Sequence, residues 1–264
     1  MTALDRLGLW AVRALCVLVL LFLLLPILVI VPLSFSAGSF LVYPVQAWSL
    51  DWYRALFASA EWRRAAGNSF LIAPAATALA TVLGTLAAMG LSQVRFAGKG
   101  WLLAVLISPM IVPVVVVGAG AYLFFAPLGL ADSYTGLVLV HAALGTPFVL
   151  TTVSATLEGF DRRLARASAS LGAGPLTTFF RVTLPLIAPG IVAGALFAFA
   201  TSFDEVVVVL FLAGPEQTTL PRQMFTGLRE NITPVIAAVA TLLTIFTTGL
   251  MLALEALRAR RAGR

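Results

Sequence analysis

The sequence predicts an all-α, polytopic membrane protein with six transmembrane helices and both termini in the cytoplasm. Three observations carry that expectation. The chain is 61% hydrophobic and only 11% charged, with a mean hydropathy of +1.03, so a water-soluble fold would expose more apolar surface than water tolerates. Its apolar residues gather in runs of the roughly 20 residues that a bilayer crossing needs. Its Lys and Arg residues alternate between loops in a way that assigns sides. A net charge of +6 would suit nucleic acid, but the basic residues are scattered among short loops rather than collected on one face, and no nucleic-acid role is expected. The single cysteine, Cys16, lies inside an apolar run and excludes a disulfide framework or a cysteine metal site.

The runs cover about 10–35, 70–91, 101–125, 136–157, 187–212 and 235–257, forming one transmembrane domain over residues 1–264. The first follows Arg6 and Arg13, as a signal peptide would. It is too long for the apolar part of such a peptide and no small-x-small site follows, so it reads as a retained span. Arg6, Arg13, Arg95, Lys99, Arg162, Arg163, Arg166, Arg181, Arg258, Arg260, Arg261 and Arg264 fall on one side. Only Arg54, Arg63, Arg64, Arg222 and Arg229 fall on the other. The richer side is cytoplasmic, which puts both termini and the 158–186 loop inside the cell.

Outside, the 37–68 segment contains Leu50, Tyr53, Leu56 and Phe57 at helical spacing, flanked by Trp48 and Trp52. It is either a helix lying on the outer interface or a loop covering helix ends. Within the second span Ala76, Ala80, Gly84 and Ala88 recur every four residues, and Gly190, Gly194 and Ala198 do so in the fifth. Such rows let helix backbones approach closely; intrachain packing is the default reading, and contact with another subunit is the alternative. Pro109 and Pro113 in the third span, and Gly145 with Pro147 in the fourth, predict bends.

Asp204 and Glu205 are the acidic residues expected well inside a span, about 25 Å along a helix counted from Ile187. Ionisable groups at such depth face a bundle interior or a wet cavity, which makes Asp204, Glu205 and the adjoining Ser202 and Phe203 the candidate substrate pathway. Pairing with an arginine, or an outer-interface position, is the structural alternative. Adjacent helical residues point about 100° apart, so both carboxylates address one small group only if the helix is irregular. His141 is the sole histidine; with no companion ligands in sequence it is expected to be a hydrogen-bonded structural residue, and no metal site is expected. No phosphate-binding loop is present: Gln93 stands where the first glycine ahead of Gly98-Lys99 should be, and Gly100 where Ser or Thr should be. No G-x-S-x-G or H-E-x-x-H motif occurs either, so the chain is not expected to be an enzyme, and any ATP it uses is bound elsewhere.

The 158–186 loop has the grammar of two short helices around a tight turn. Asp161 is placed to cap the first, Leu164, Ala167 and Leu171 share a face, Gly172 supplies a left-handed residue, and Pro175 opens the second helix. Pro185 and Pro189 bracket entry into the next span.

Residues 166–185 resemble the cytoplasmic signature of permease subunits of binding-protein-dependent ABC importers: E-A-A, three residues, G, nine residues, I-x-L-P. The sequence has Arg166-Ala167-Ser168, Gly172, then Val182-Thr183-Leu184-Pro185, with both spacings kept. Arg166 stands where the family usually has Glu, Ser168 replaces the second Ala, and Val182 replaces Ile. Asn68-Ser69, Arg95-Phe96-Ala97-Gly98-Lys99, Pro147-Phe148, Gly159-Phe160-Asp161, Ser202-Phe203-Asp204-Glu205, Gly214-Pro215 and Thr219-Leu220-Pro221 extend the likeness to the spermidine/putrescine branch, second permease. The resemblance implies a type I (MetI-like) permease fold in a bacterial inner membrane, surrounded by lipid. It implies ATPase coupling through Asp161, Arg166, Ala167, Ser168, Leu171, Gly172 and Ala173. Its implied partners are a second permease subunit, an ATPase homodimer that binds the ATP and Mg2+, and an extracytoplasmic substrate-binding protein met by loops 37–68 and 213–234. No cofactor is implied in this chain itself. The substrate implied is a polyamine or another small organic solute. The competing class is a self-sufficient secondary transporter or channel with Asp204 and Glu205 as an ion relay.

Overall fold

The computed structural model describes residues 3–230 and 233–262; Arg264 and positions 231–232 of the outer segment lie outside the described residues. Among these, no β-strand forms, and the chain is a succession of helices. They are α1 (Ala3–Leu33), α2 (Asp51–Ala58), α3 (Ala60–Gln93), α4 (Lys99–Ile107), α5 (Val114–Phe125), α6 (Tyr134–Glu158), α7 (Arg162–Ser170), α8 (Pro175–Thr178), α9 (Leu184–Phe203), α10 (Val207–Leu212), α11 (Leu220–Glu230) and α12 (Pro234–Ala262).

Among the described residues, four helical stretches are long and apolar enough to cross a membrane: Gly8–Leu33, Ala60–Gln93, Tyr134–Glu158 and Pro175–Phe203. The predicted third span is a broken pair, Lys99–Met110 and Val114–Leu128, bent by 101°. Pro113 removes a backbone donor at the break, as expected of a proline inside a helix. By contrast α6 remains helical through Gly145 and Pro147. The predicted sixth span lies within α12 (Pro234–Ala262), of which Pro234–Leu250 is an apolar helical stretch among the described residues.

The predicted fifth span, 187–212, is corrected by the structure. Helix begins at Pro175, passes through a wide turn at Phe179–Thr183 where Leu184 N–H bonds Phe179 O, and ends at Phe203. Pro185 lacks the N–H that would otherwise reach back four residues, and widening the turn upstream accommodates its ring. Residues 204–206 are not helical, and α10 is a separate element.

The chain divides into two compact units, residues 64–223 and residues 1–63 with 224–264. In the larger, α6 runs along α9, and small residues make the contact. Toward α9, a Cβ added at Gly145 of α6 would stand 3.0 Å from Ala198 Cβ, and on the α3 side of α6 one at Gly84 would stand 2.7 Å from Val149 Cβ and 2.9 Å from Thr146 O. Ala76, Ala80, Ala88 and Ala198 are buried in the same core, so both small-residue rows serve packing within the chain. A second core gathers Ile72, Leu137, Leu144, Val208, Val209 and Leu212. Here Gly118 of α5 receives Phe211 of α10.

In the smaller unit, α1 keeps almost all its apolar side chains from Gly8 onward exposed. The 37–68 segment does form a helix, α2, tied to the end of α1 by a 2.7 Å hydrogen bond between the Tyr53 and Ser34 hydroxyls. The Phe35 and Tyr53 rings lie 5.2 Å apart, and Leu56 is buried. Covering a helix end is therefore what the buried face of α2 does.

Candidate substrate pathway and coupling elbow

The acidic pair sits at the helix break rather than inside a span, because α9 stops there. Asp204 is the C-cap residue of α9, its N–H bonded to Ala200 O at 3.0 Å, and its side chain is exposed. Glu205 is half-buried and its Oε1 accepts the Val208 N–H at 2.9 Å. A carboxylate there satisfies an orphan donor in the first turn of α10 and meets the positive end of that helix. The irregularity that would let the two carboxylates diverge from helical spacing is thus present. Ser202 and Phe203 turn inward: Ser202 Oγ lies 2.8 Å from His141 Nδ1, and Phe203 stacks on Phe199 and meets Phe70 edge-on, both at 5.4 Å. His141 is buried and bridges α6 to α9, as expected of a structural histidine, while its Nε2 has no hydrogen-bond partner. Among the described residues, no three His, Cys, Asp or Glu side chains gather as metal ligands.

At the other end of α10 and along the 213–222 stretch lies a set of polar residues whose roles no sequence signal disclosed. Asn68 Nδ2 donates to Glu216 O at 2.7 Å and Thr218 O at 2.8 Å, while its Oδ1 accepts from the Tyr134 hydroxyl at 3.0 Å. Ser69 Oγ accepts the Leu220 N–H at 2.8 Å. Arg222 Nη1 donates to Ala213 O at 2.6 Å, with longer contacts of 3.3 Å to Gly214 O and 3.4 Å to Val209 O. Burial lowers the pKa of Arg222, the Asp132 carboxylate raises it in opposition, and a guanidinium stays charged throughout. Partners eight to 151 residues away in the chain depend on the tertiary fold, so only the motif likenesses at Asn68-Ser69, Gly214-Pro215 and Thr219-Leu220-Pro221 pointed to the region.

The elbow forms as its local grammar predicts. Asp161 Oδ1 accepts the Arg163 N–H at 2.9 Å and caps α7. The helix ends with Gly172 N–H on Ala169 O at 2.9 Å and Ala173 N–H on Ser168 O at 3.2 Å. Gly172 has φ +85°, the left-handed conformation such a helix end requires. Ser168 and Thr178 hydroxyls meet at 3.1 Å, tying α7 to α8. Leu164, Leu171, Leu176 and Phe180 are exposed, Leu171 at 89%. Beneath, Ala169 and Ala173 line a cleft of about 430 Å3 against Met89 and Gln93, and Arg166 lines the adjoining cleft with Ser92 and Thr183. Ala167 is exposed on α7.

The structure is that of a helical membrane protein in which a capped elbow feeds directly into a long apolar helix that ends beside a carboxylate. The chain belongs to the family of binding-protein-dependent transport system inner membrane components, which matches residues 80–262. It is 36% identical over 229 residues to the putrescine transport system permease protein PotI of Escherichia coli strain K12, covering 84% of this chain and 81% of that one. It is 32% identical over 230 residues to the spermidine/putrescine transport system permease protein PotC of Haemophilus influenzae, covering 87% and 89%. Its fold is similar to a chain in the crystal structure of a bacterial ABC transporter involved in importing the acidic polysaccharide alginate, with TM-score 0.75, 17% identity and 98% of both chains covered. The chain therefore has an ABC importer permease fold and is a membrane transport subunit rather than the subunit that hydrolyses ATP.

Proposed function

We propose that this chain is one of two permease subunits of a bacterial inner-membrane importer for a small polyamine cation, forming a single permease domain with six crossings and both termini in the cytoplasm. The broken pair α4–α5 counts as the third crossing and α12 as the sixth. The elbow at 158–186 docks on an ATPase homodimer that holds ATP and Mg2+. Loops 37–68 and 213–234 meet a substrate-binding protein. Asp204, with Glu205 beside it, provides the negative charge that a cation meets in the pathway, and Ser202 and Phe203 hold that end of α9 in the bundle.

One observation carries this reading: helix continues, through the wide turn at Phe179–Thr183, from Pro175 in the elbow to Phe203, beside the exposed Asp204. At 1.5 Å per residue, those 29 residues span about 44 Å, longer than a bilayer core of roughly 30 Å. A push on the elbow is thereby delivered to the helix that ends at the carboxylate, which is the differential contact that coupling between two sites requires. The likeness to the putrescine and spermidine/putrescine permeases supports the choice of cation, and an exposed carboxylate suits it.

The test is putrescine uptake into proteoliposomes holding the full assembly. Uptake is expected to require ATP, the ATPase and the binding protein, and Asp204→Asn is expected to reduce it roughly tenfold or more while insertion persists. Gradient-driven flux through liposomes holding this chain alone would establish a secondary transporter instead.

A further inference from the structure

We infer that Arg222 is a positioning residue for the acidic break: it holds the far end of α10 and so fixes where Glu205 and Asp204 stand. The inference rests on the pathway role proposed for Asp204.

α10 is a helix of six residues, and a helix that short does not hold itself, because nucleating the first turn is unfavourable and few bonds follow. Its own ladder at the ends amounts to Leu210 N–H on Val206 O at 2.9 Å and Ala213 N–H on Val209 O at 3.0 Å. What keeps it in place comes from outside its backbone. At its start, the Glu205 carboxylate takes the Val208 N–H. At its finish, three carbonyls turn toward Arg222 Nη1, and the Asp132 N–H takes the Leu212 carbonyl at 2.9 Å. A negative group at the start and a positive group at the finish both complement the helix dipole.

Arg222 is itself well founded. The stretch just before it is pinned by Asn68 at Glu216 O and Thr218 O and by Ser69 at Leu220 N–H. The carbonyls it holds belong to Val209, Ala213 and Gly214, and Asp132 is the acidic group facing it. A chain of contacts therefore runs from α3 through the outer segment to Arg222, across α10, and into the residue next to Asp204. Without the guanidinium the C-terminal carbonyls of α10 keep the Ala213 N–H on Val209 O and the Asp132 N–H on Leu212 O, those of Ala213 and Gly214 lose the donor Arg222 gave them, and the segment 204–213 gains freedom at the place where its carboxylate must meet substrate.

The experiment compares Arg222→Ala and Arg222→Lys in the reconstituted assembly, by hydrogen exchange at the Leu210 and Ala213 amides and by putrescine uptake. A charged hydrogen bond to a half-buried carbonyl corresponds to roughly a 10- to 100-fold change in opening. Arg222→Ala is expected to lose about tenfold in protection or more and to raise the apparent KM for putrescine with the amount of inserted chain unchanged. Arg222→Lys, whose ammonium still donates to carbonyls, is expected to restore most of both. Asp132→Asn, which keeps the backbone bond to Leu212 O, is expected to shift both readouts in the same direction by less. It serves also if Arg222→Ala does not accumulate. Native protection of α10 in Arg222→Ala, or lost protection with unaltered KM, overturns the inference. Normal uptake by Asp204→Asn would instead overturn the pathway reading and leave the exchange result standing.

Discussion

Gly194 lies where α9 presses against α6, and replacing it by alanine tests the packing that supports the candidate site. A methyl group built there would stand 2.6 Å from Val149 Cα and 3.3 Å from Phe148 O, and would overlap Thr152 Oγ1. Ordinary carbon contacts lie at about 3.5–4.0 Å, so the helices must part by about 1 Å at that level. Thr152 is not free to swing aside, because its hydroxyl donates to Phe148 O at 2.9 Å. Close-packed interiors resist such additions, and overpacking of this kind costs about 1–3 kcal/mol. In a denaturant titration of the purified chain in detergent, Gly194→Ala is expected to lose that much, roughly a five- to 150-fold change in the folded fraction. Gly120→Ala and Gly90→Ala serve as controls: a Cβ at either position meets nothing within 4 Å, and alanine is the better helix former. If Gly194→Ala proves as stable as those controls, the α6–α9 seam is not packed as described.

Three further outcomes are expected. Gly172→Ala forces a side chain into the left-handed region at a cost of about 1–2 kcal/mol, although nothing crowds it. It should weaken transport-coupled ATP hydrolysis, whereas Gly172→Asn should be tolerated; equal behaviour of the two variants would exclude a backbone role for this residue. Ser202→Ala leaves both ring nitrogens of His141 unpaired and should destabilise the chain by about 1–3 kcal/mol, read from the same titration, with an unchanged midpoint counting against the bridge. In a Cys16→Ser background, Leu171→Cys should react with an impermeant thiol reagent in inside-out vesicles and not in right-side-out ones; the reverse pattern would invert the topology.

The elbow was legible because everything that shapes it is local. Asp161 caps within two residues, Gly172 takes the left-handed turn within its own backbone, and Pro175 opens the next helix as its ring prescribes. The bend at Pro113 was legible for the same reason, since a proline breaks a helix from within. The small-residue rows announced close packing through their spacing, and the all-helical membrane class through composition. The fifth span was misread because an apolar run from 187 to 212 carries no sign of where hydrogen bonding stops: hydropathy counts side chains, and the break at 204–206 is a property of the backbone.

What the amino-acid order settled by itself was therefore the class, the helical content and the turn chemistry of the 158–186 elbow, since these arise from side-chain polarity and from interactions a few residues apart. Only the tertiary structure decided that Ser202 is bound to His141, that Glu205 caps α10, and that Arg222 gathers the carbonyls at its other end. Those pairings join residues that are remote in sequence or that sit on different elements. They exist because buried donors and acceptors must find partners wherever packing has brought them, and that meeting place is a property of the assembled helices.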